Sequence, residues 1–169
     1  MAFIVYRLCA TGVFEYVGYD DVSQICSISS IVAPNVPVFI AGRGFRYVSS
    51  FDINTTLVPG ITRRSILTEP GNQIAGVLRW DGNGEYTLIF NHVQYHILGD
   101  SQKYILKSEN GAVLLELRRI SHDTPIPDHV LAQNSWYDIT PMFELCTYAS
   151  LPDVLISIFT ALPMLEFGL

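Results

Sequence analysis

The sequence predicts a mainly β protein: a closed antiparallel β-barrel of about twelve strands enclosing a hydrophobic C-terminal α-helix. Two observations carry this expectation. Runs of β-branched and aromatic residues recur between turn signals at the spacing of about 8–12 residues that marks sandwiches and barrels. The last such run, from Val154 to Leu165, contains no charged residue at all. A helix that is apolar on every side has to be surrounded, and one face of an open sheet does not surround it.

Taken in order, the strand candidates are Phe3 to Cys9, Val13 to Tyr19, Ser23 to Val32, Val36 to Ile40 and Gly44 to Phe51. Thr11-Gly12, Pro34-Asn35 and Gly42 punctuate them. Pro59-Gly60 is a turn signal, because proline presets one turn angle and glycine accepts positive φ. Arg63 to Thr68, Gln73 to Trp80 and Glu85 to Phe90 follow, the last two joined by Asp81-Gly82-Asn83-Gly84, a loop of the composition that primed hairpin turns prefer. In Glu85 to Phe90 the residues Tyr86, Leu88 and Phe90 share one face. Val93, Tyr95 and Ile97 alternate with Gln94 and His96. Beyond Lys103 to Lys107 and a turn at Glu109-Asn110-Gly111, Val113, Leu115 and Leu117 alternate with Leu114, Glu116 and Arg118. The stretch from His122 to Asn134 holds Pro125 and Pro127 and reads as an extended connection. Trp136 to Tyr148 reads as one or two strands, interrupted at Pro141.

Ser150-Leu151-Pro152-Asp153 is a helix start, with serine as the cap, proline in the first turn and aspartate completing a box-like arrangement. The helix is expected at about 151–166, central to a single domain covering 1–169. A run of about twelve residues spans about 18 Å, whereas a bilayer core needs about 30 Å. The segment is therefore read as a buried core helix rather than a tail anchor, and the chain as not an integral membrane protein. Ser157 and Thr160 are tolerable in such a core because their hydroxyls can return to carbonyls one turn back.

Composition bounds the function. Of 169 residues, 16 are acidic and 10 basic, for a net charge of −6. That opposes non-specific nucleic-acid binding, which needs a basic field. Charged residues are only 15% of the chain and apolar ones 49%, a balance that favours a packed core over disorder. Three scattered cysteines, Cys9, Cys26 and Cys146, form neither a disulfide framework nor a zinc ribbon. The N-terminal apolar run breaks at Arg7, too early for a signal peptide. A cytoplasmic protein, peripheral at most to a membrane, is expected, with no cofactor implied.

Four constellations have chemical potential. Gly42-Arg43-Gly44 lacks the third glycine and the helix of a dinucleotide fingerprint and reads as a turn or bulge. His92 and His96, four apart on a strand, stand about 13 Å apart and cannot share an ion. His122, Asp123, Asp128 and His129 flank a proline-containing loop. They form the alternative reading, a small metal-dependent or hydrolytic enzyme, although their spacing matches no ligand motif. Arg63-Arg64 and Arg118-Arg119 are the adjacent basic pairs. Neighbours on a strand point to opposite faces, so one member of each pair can join a given anion site for a phosphate or lipid head group.

The hairpin series from Ser65-Ile66-Leu67 to Leu115-Glu116-Leu117-Arg118-Arg119, followed by the tail Leu151-Pro152-Asp153-Val154-Leu155-Ile156-Ser157-Ile158-Phe159-Thr160-Ala161-Leu162, resembles the tubby C-terminal-like superfamily. That superfamily includes the phospholipid scramblases and the plant LURP-one-related proteins. The resemblance implies a barrel of about twelve strands around a central hydrophobic helix. It implies no shared catalytic residues, and in some members recognition of phosphoinositide head groups by basic residues on the barrel. The expected function is a non-enzymatic binding or scaffold module with a phospholipid head group or a protein as partner.

Overall fold

A computed structural model describes residues 2–8, 13–20, 23–31, 37–51, 63–69, 71, 73–100, 102–135 and 139–163. Among the described residues there are twelve strands and two short helices: β1 Ala2–Leu8, β2 Val13–Tyr19, β3 Gln24–Ile31, β4 Val38–Gly42, β5 Phe45–Phe51, β6 Arg63–Thr68, β7 Ile74–Gly82, β8 Glu85–Phe90, β9 Val93–Gly99, β10 Lys103–Ser108, β11 Val113–Arg119, α1 Asp128–Gln133, β12 Ile139–Thr147 and α2 Asp153–Thr160. Consecutive strands pair antiparallel from β2 through to β11, β12 pairs with β11, and β1 hydrogen-bonds both β2 and β12. The expected turns at Thr11-Gly12, Pro34-Asn35 and Pro59-Gly60, together with Cys9, lie outside the described residues, as does 164–166 of the expected helix.

The alternation read from the sequence sets the inner face. Tyr86, Leu88 and Phe90 of β8, Ile97 of β9, Tyr104 and Leu106 of β10, and Leu115 and Leu117 of β11 are all buried in one cluster with Leu155, Ile158, Phe159 and Leu162. Helix α2 contributes to this core from every side. Successive residues of a helix are rotated by about 100°, so Leu155, Ser157, Ile158, Phe159, Thr160, Ala161 and Leu162 point in all directions, and each is at most 1% exposed. The two hydroxyls in that run are satisfied within the helix: Ser157 Oγ donates to the Asp153 carbonyl at 2.7 Å and Thr160 Oγ1 to the Ser157 carbonyl at 2.9 Å. Cys26 of β3 packs against them, its Sγ 3.8 Å from Thr160 Oγ1, and burial pushes its thiol up from the ordinary range.

Three details differ from the expectation. The helix starts two residues later than the Ser150 cap predicts. Its cap is Pro152, with no side-chain cap bond, and Asp153 supplies the acidic first turn. Pro141 does not divide the last strand. β12 runs through it, and the register with β1 shifts between Ile4 and Val5, a bulge that accommodates the missing N–H. The proline-containing connection also holds a helix, α1, which lies on the other side of the sheet. Val130 joins Val17 and Tyr19 of β2 in a second, smaller cluster flanked by Ile126 and Ile139. Asn134 closes it, donating Nδ2 to Tyr19 Oη at 2.6 Å and to the Val130 carbonyl at 2.8 Å.

The predicted hairpin turns take left-handed backbone. Asn83 and Gly84 have φ of 53° and 76° between β7 and β8. Gly84 is also pressed against the end of β9, where a Cβ would stand 2.1 Å from the Gly99 carbonyl oxygen. Gly42-Arg43-Gly44 is the β4–β5 turn, with Gly44 at φ 77°.

Candidate functional site

The strand register brings side chains from distant parts of the sequence into rows on the outer face, because directly opposed residues of an antiparallel pair point to the same side. The first row is apolar. Phe39 of β4 pairs with Val48 of β5, Val48 with Leu67 of β6, and Leu67 with Ile74 of β7. Beside it Val77 of β7 pairs with Ile89 of β8. Phe39 is 46% exposed, Ile74 68% and Ile89 43%, while Val48, Leu67 and Val77 are half-buried. Scattered single apolar residues on a surface are ordinary; six in adjoining positions over five strands form a contiguous patch of the kind that marks an interaction surface.

The next row along the same strands is basic. Arg79 of β7 is in register with Thr87 of β8, Thr87 with His96 of β9, and His96 with Lys107 of β10. Arg79 forms an ion pair with Asp81, whose other carboxylate oxygen accepts the Thr87 hydroxyl at 2.6 Å. A shallow cavity of about 240 Å³ opens here between Asp81, Glu85, His96, Leu98 and Lys107. A larger groove of about 480 Å³ lies at the β4–β5 turn, lined by Phe45, Arg46, Tyr47, Thr68 and Glu69.

The four arginines singled out in the sequence do not assemble into one patch. Arg63 and Arg64 are on β6, Arg118 and Arg119 on β11, and four strands, β7 to β10, stand between them along the sheet. Arg64 has the inward parity of Ile66 and is 7% exposed; desolvation lowers its pKa to about 10. Arg118 is engaged on the outer face, where Glu116 receives both Arg118 and, at 2.9 Å, Lys103. The Arg118 bond is the largest influence holding the Glu116 carboxyl below its ordinary range, with burial working against it and Lys103 adding to it. Arg119 is exposed at the end of β11.

The His122-to-His129 loop is likewise dispersed. His122, Asp123 and Asp128 are exposed, and His129 is used structurally: its Nε2–H donates to the Asp20 carbonyl at 2.8 Å, which ties α1 to the end of β2. Among the described residues no three of histidine, cysteine, aspartate and glutamate gather in a way that would hold a metal ion. No helix among them is long and apolar enough to cross a membrane.

Sequence reasoning missed the outer apolar row. Each of its members is an unremarkable strand residue, and the signal lies only in the pairing. One contributor is misread by simple alternation: a register shift between Ile66 and Leu67 opposes Leu67 to Ile74 rather than to Ala75. Neither a protein-family model, nor a curated protein, nor a solved structure matches the sequence.

Proposed function

We propose that the protein is a non-enzymatic binding module, built as a closed barrel around its C-terminal helix in the manner of the tubby-like proteins, and that it engages acidic phospholipid surfaces through the outer face of β4 to β10. The adjoining apolar and basic rows support this reading. Ile74, Ile89 and Phe39 offer side chains that gain free energy on leaving water, about 25 cal/mol per Å² of apolar area. Arg79 and Lys107, one or two rows away, lie where head-group phosphates would meet an embedded apolar patch. An interior packed around α2 favours surface recognition over an internal substrate chamber, and the net charge of −6 makes a local rather than a global basic field the relevant one.

Flotation with vesicles of phosphatidylcholine, alone and with phosphatidylserine or phosphoinositide, tests the proposal. The protein is expected to float with acidic vesicles at low salt and to be released at high salt. Ile74→Asp with Ile89→Asp, both at exposed positions, is expected to abolish flotation while leaving the melting temperature within a few degrees of the native value. Absence of binding to acidic vesicles at low salt, or binding unchanged by the double variant, overturns it.

A further inference from the structure

The groove at the β4–β5 turn is lined by polar groups that the fold does not use. Arg46 of β5 and Glu69, which follows β6, oppose one another: the pairing of Tyr47 with Thr68 continues by one step, and the Glu69 N–H donates to the Arg46 carbonyl at 3.0 Å. Directly opposed residues point to the same side of a sheet, so an ion pair between these two exposed side chains would be the ordinary outcome. They form none. Among the described residues neither the Arg46 guanidinium nor the Glu69 carboxylate has a hydrogen bond or an ion pair, and the Tyr47 hydroxyl has no hydrogen bond. All three side chains line the same opening of about 480 Å³.

The rest of its wall is aromatic and held in place. Phe45 and Tyr47, on either side of Arg46 in sequence, are half-buried, with ring centroids 6.0 Å apart and planes inclined at 49°. Tyr47 also meets the buried ring of Phe90 edge-on at 5.9 Å. The Phe45 ring lies over Gly42, its partner on β4, where a Cβ would run into the ring and would stand 2.9 Å from the Ile25 carbonyl oxygen. Glycine at that position leaves the ring its place.

These groups select a ligand by chemistry. A guanidinium fork suits the two oxygens of a carboxylate, a glutamate suits an ammonium, and aromatic faces suit an apolar side chain. Because Arg46 and Glu69 oppose each other across one strand pair, the two charges of the ligand have to be close together as well. An α-amino acid carries ammonium, carboxylate and side chain on one carbon. The volume falls within the range of about 300–1,000 Å³ common for small-molecule sites. We propose that the groove binds a free α-amino acid with a bulky apolar side chain: carboxylate on Arg46 and the Tyr47 hydroxyl, ammonium on Glu69, side chain against Phe45 and Tyr47. This inference does not rest on the lipid surface proposed above. It is tested with a soluble ligand and no vesicles, so either one stands if the other fails.

Isothermal titration calorimetry of the full chain with L-phenylalanine reads the site out. One-to-one binding that saturates below about 10 mM is expected. Two analogues each lack one charge, 3-phenylpropanoate the ammonium and 2-phenylethylamine the carboxylate; each should bind at least about tenfold more weakly. Arg46→Gln and Glu69→Gln change exposed residues, so both should melt within a few degrees of the native protein. Glu69→Gln is expected to abolish the advantage of L-phenylalanine over 3-phenylpropanoate, and Arg46→Gln its advantage over 2-phenylethylamine. No saturable binding of L-phenylalanine, analogues that bind as tightly as the amino acid, or an affinity undiminished in both variants overturns the proposal.

Discussion

The two helices are of similar length and meet the same sheet from opposite sides, yet they are held in different ways. Helix α2 is buried around its whole circumference and shares one cluster with residues from most of the strands. Helix α1 buries Val130 alone of its six residues and is fixed to the outer face by a few specific contacts: Val130 on Val17 and Tyr19, Asn134 on the Tyr19 hydroxyl, and His129 on the Asp20 carbonyl. The difference teaches that one helix is part of what makes the sheet fold, while the other is an attachment to a sheet that is already complete. Removing side chains from the first should unfold everything, and removing them from the second should loosen one side.

The largest expected effect follows from truncating the inner helix. Phe159→Ala opens a cavity at a fully buried position and should destabilise the whole domain by about 3–5 kcal/mol, measured by urea unfolding, with a single transition. Retention of most of the stability would break the contrast at its root. A smaller effect is expected on the outer helix. Asn134→Ala deprives the buried Tyr19 hydroxyl of the amide donor and should cost about 1–3 kcal/mol. In hydrogen exchange, amides of 128–134 should lose protection while those of β8 to β11 keep theirs; loss of protection throughout would merge the two helices into one cooperative unit.

The smallest effect concerns the outer face of β10 to β12. Since Arg118 and Lys103 hold the Glu116 carboxyl below its ordinary range, the folded protein binds that proton less readily than the unfolded chain does. The stabilisation is therefore complete above the unfolded-state value of about 4.3 and is lost as pH falls through the lower folded-state value. Glu116→Gln is expected to flatten the acid limb of the stability curve below about pH 4.3, with a modest change at pH 7 because both cationic partners are about half exposed. An unchanged acid limb would show that the pair contributes nothing to folding.

Legibility in the sequence follows the same division. The inner helix was readable because Val154 to Leu165 carries no charge, so one residue class in one place settles its environment. The strands were readable from alternation and turn residues, and Asn83-Gly84 behaves as its composition predicts. Helix α1 was not readable, because Pro125 and Pro127 announce an extended chain and Asp128-His129-Val130-Leu131-Ala132-Gln133 is too short to show a period. Val113 illustrates a second kind of loss. It alternates in phase with Leu115 and Leu117, but the register shifts between Leu106 and Lys107, and Val113 ends 40% exposed while the other two are buried. The outer rows and the Arg46–Glu69 pair depend on strand pairing, which sequence alternation leaves open. The arginine pairs were visible as residues, but whether β6 and β11 are neighbours is a matter of topology.

Helix α2 follows all twelve strands in chain order. During synthesis the strands leave the ribosome first, with the inner sides of Leu88, Leu106 and Leu117 lacking the partner that will cover them. Native packing has to wait for α2 to be translated. Until then the nascent polypeptide presents a greasy concave surface, the condition under which a chaperone is most needed.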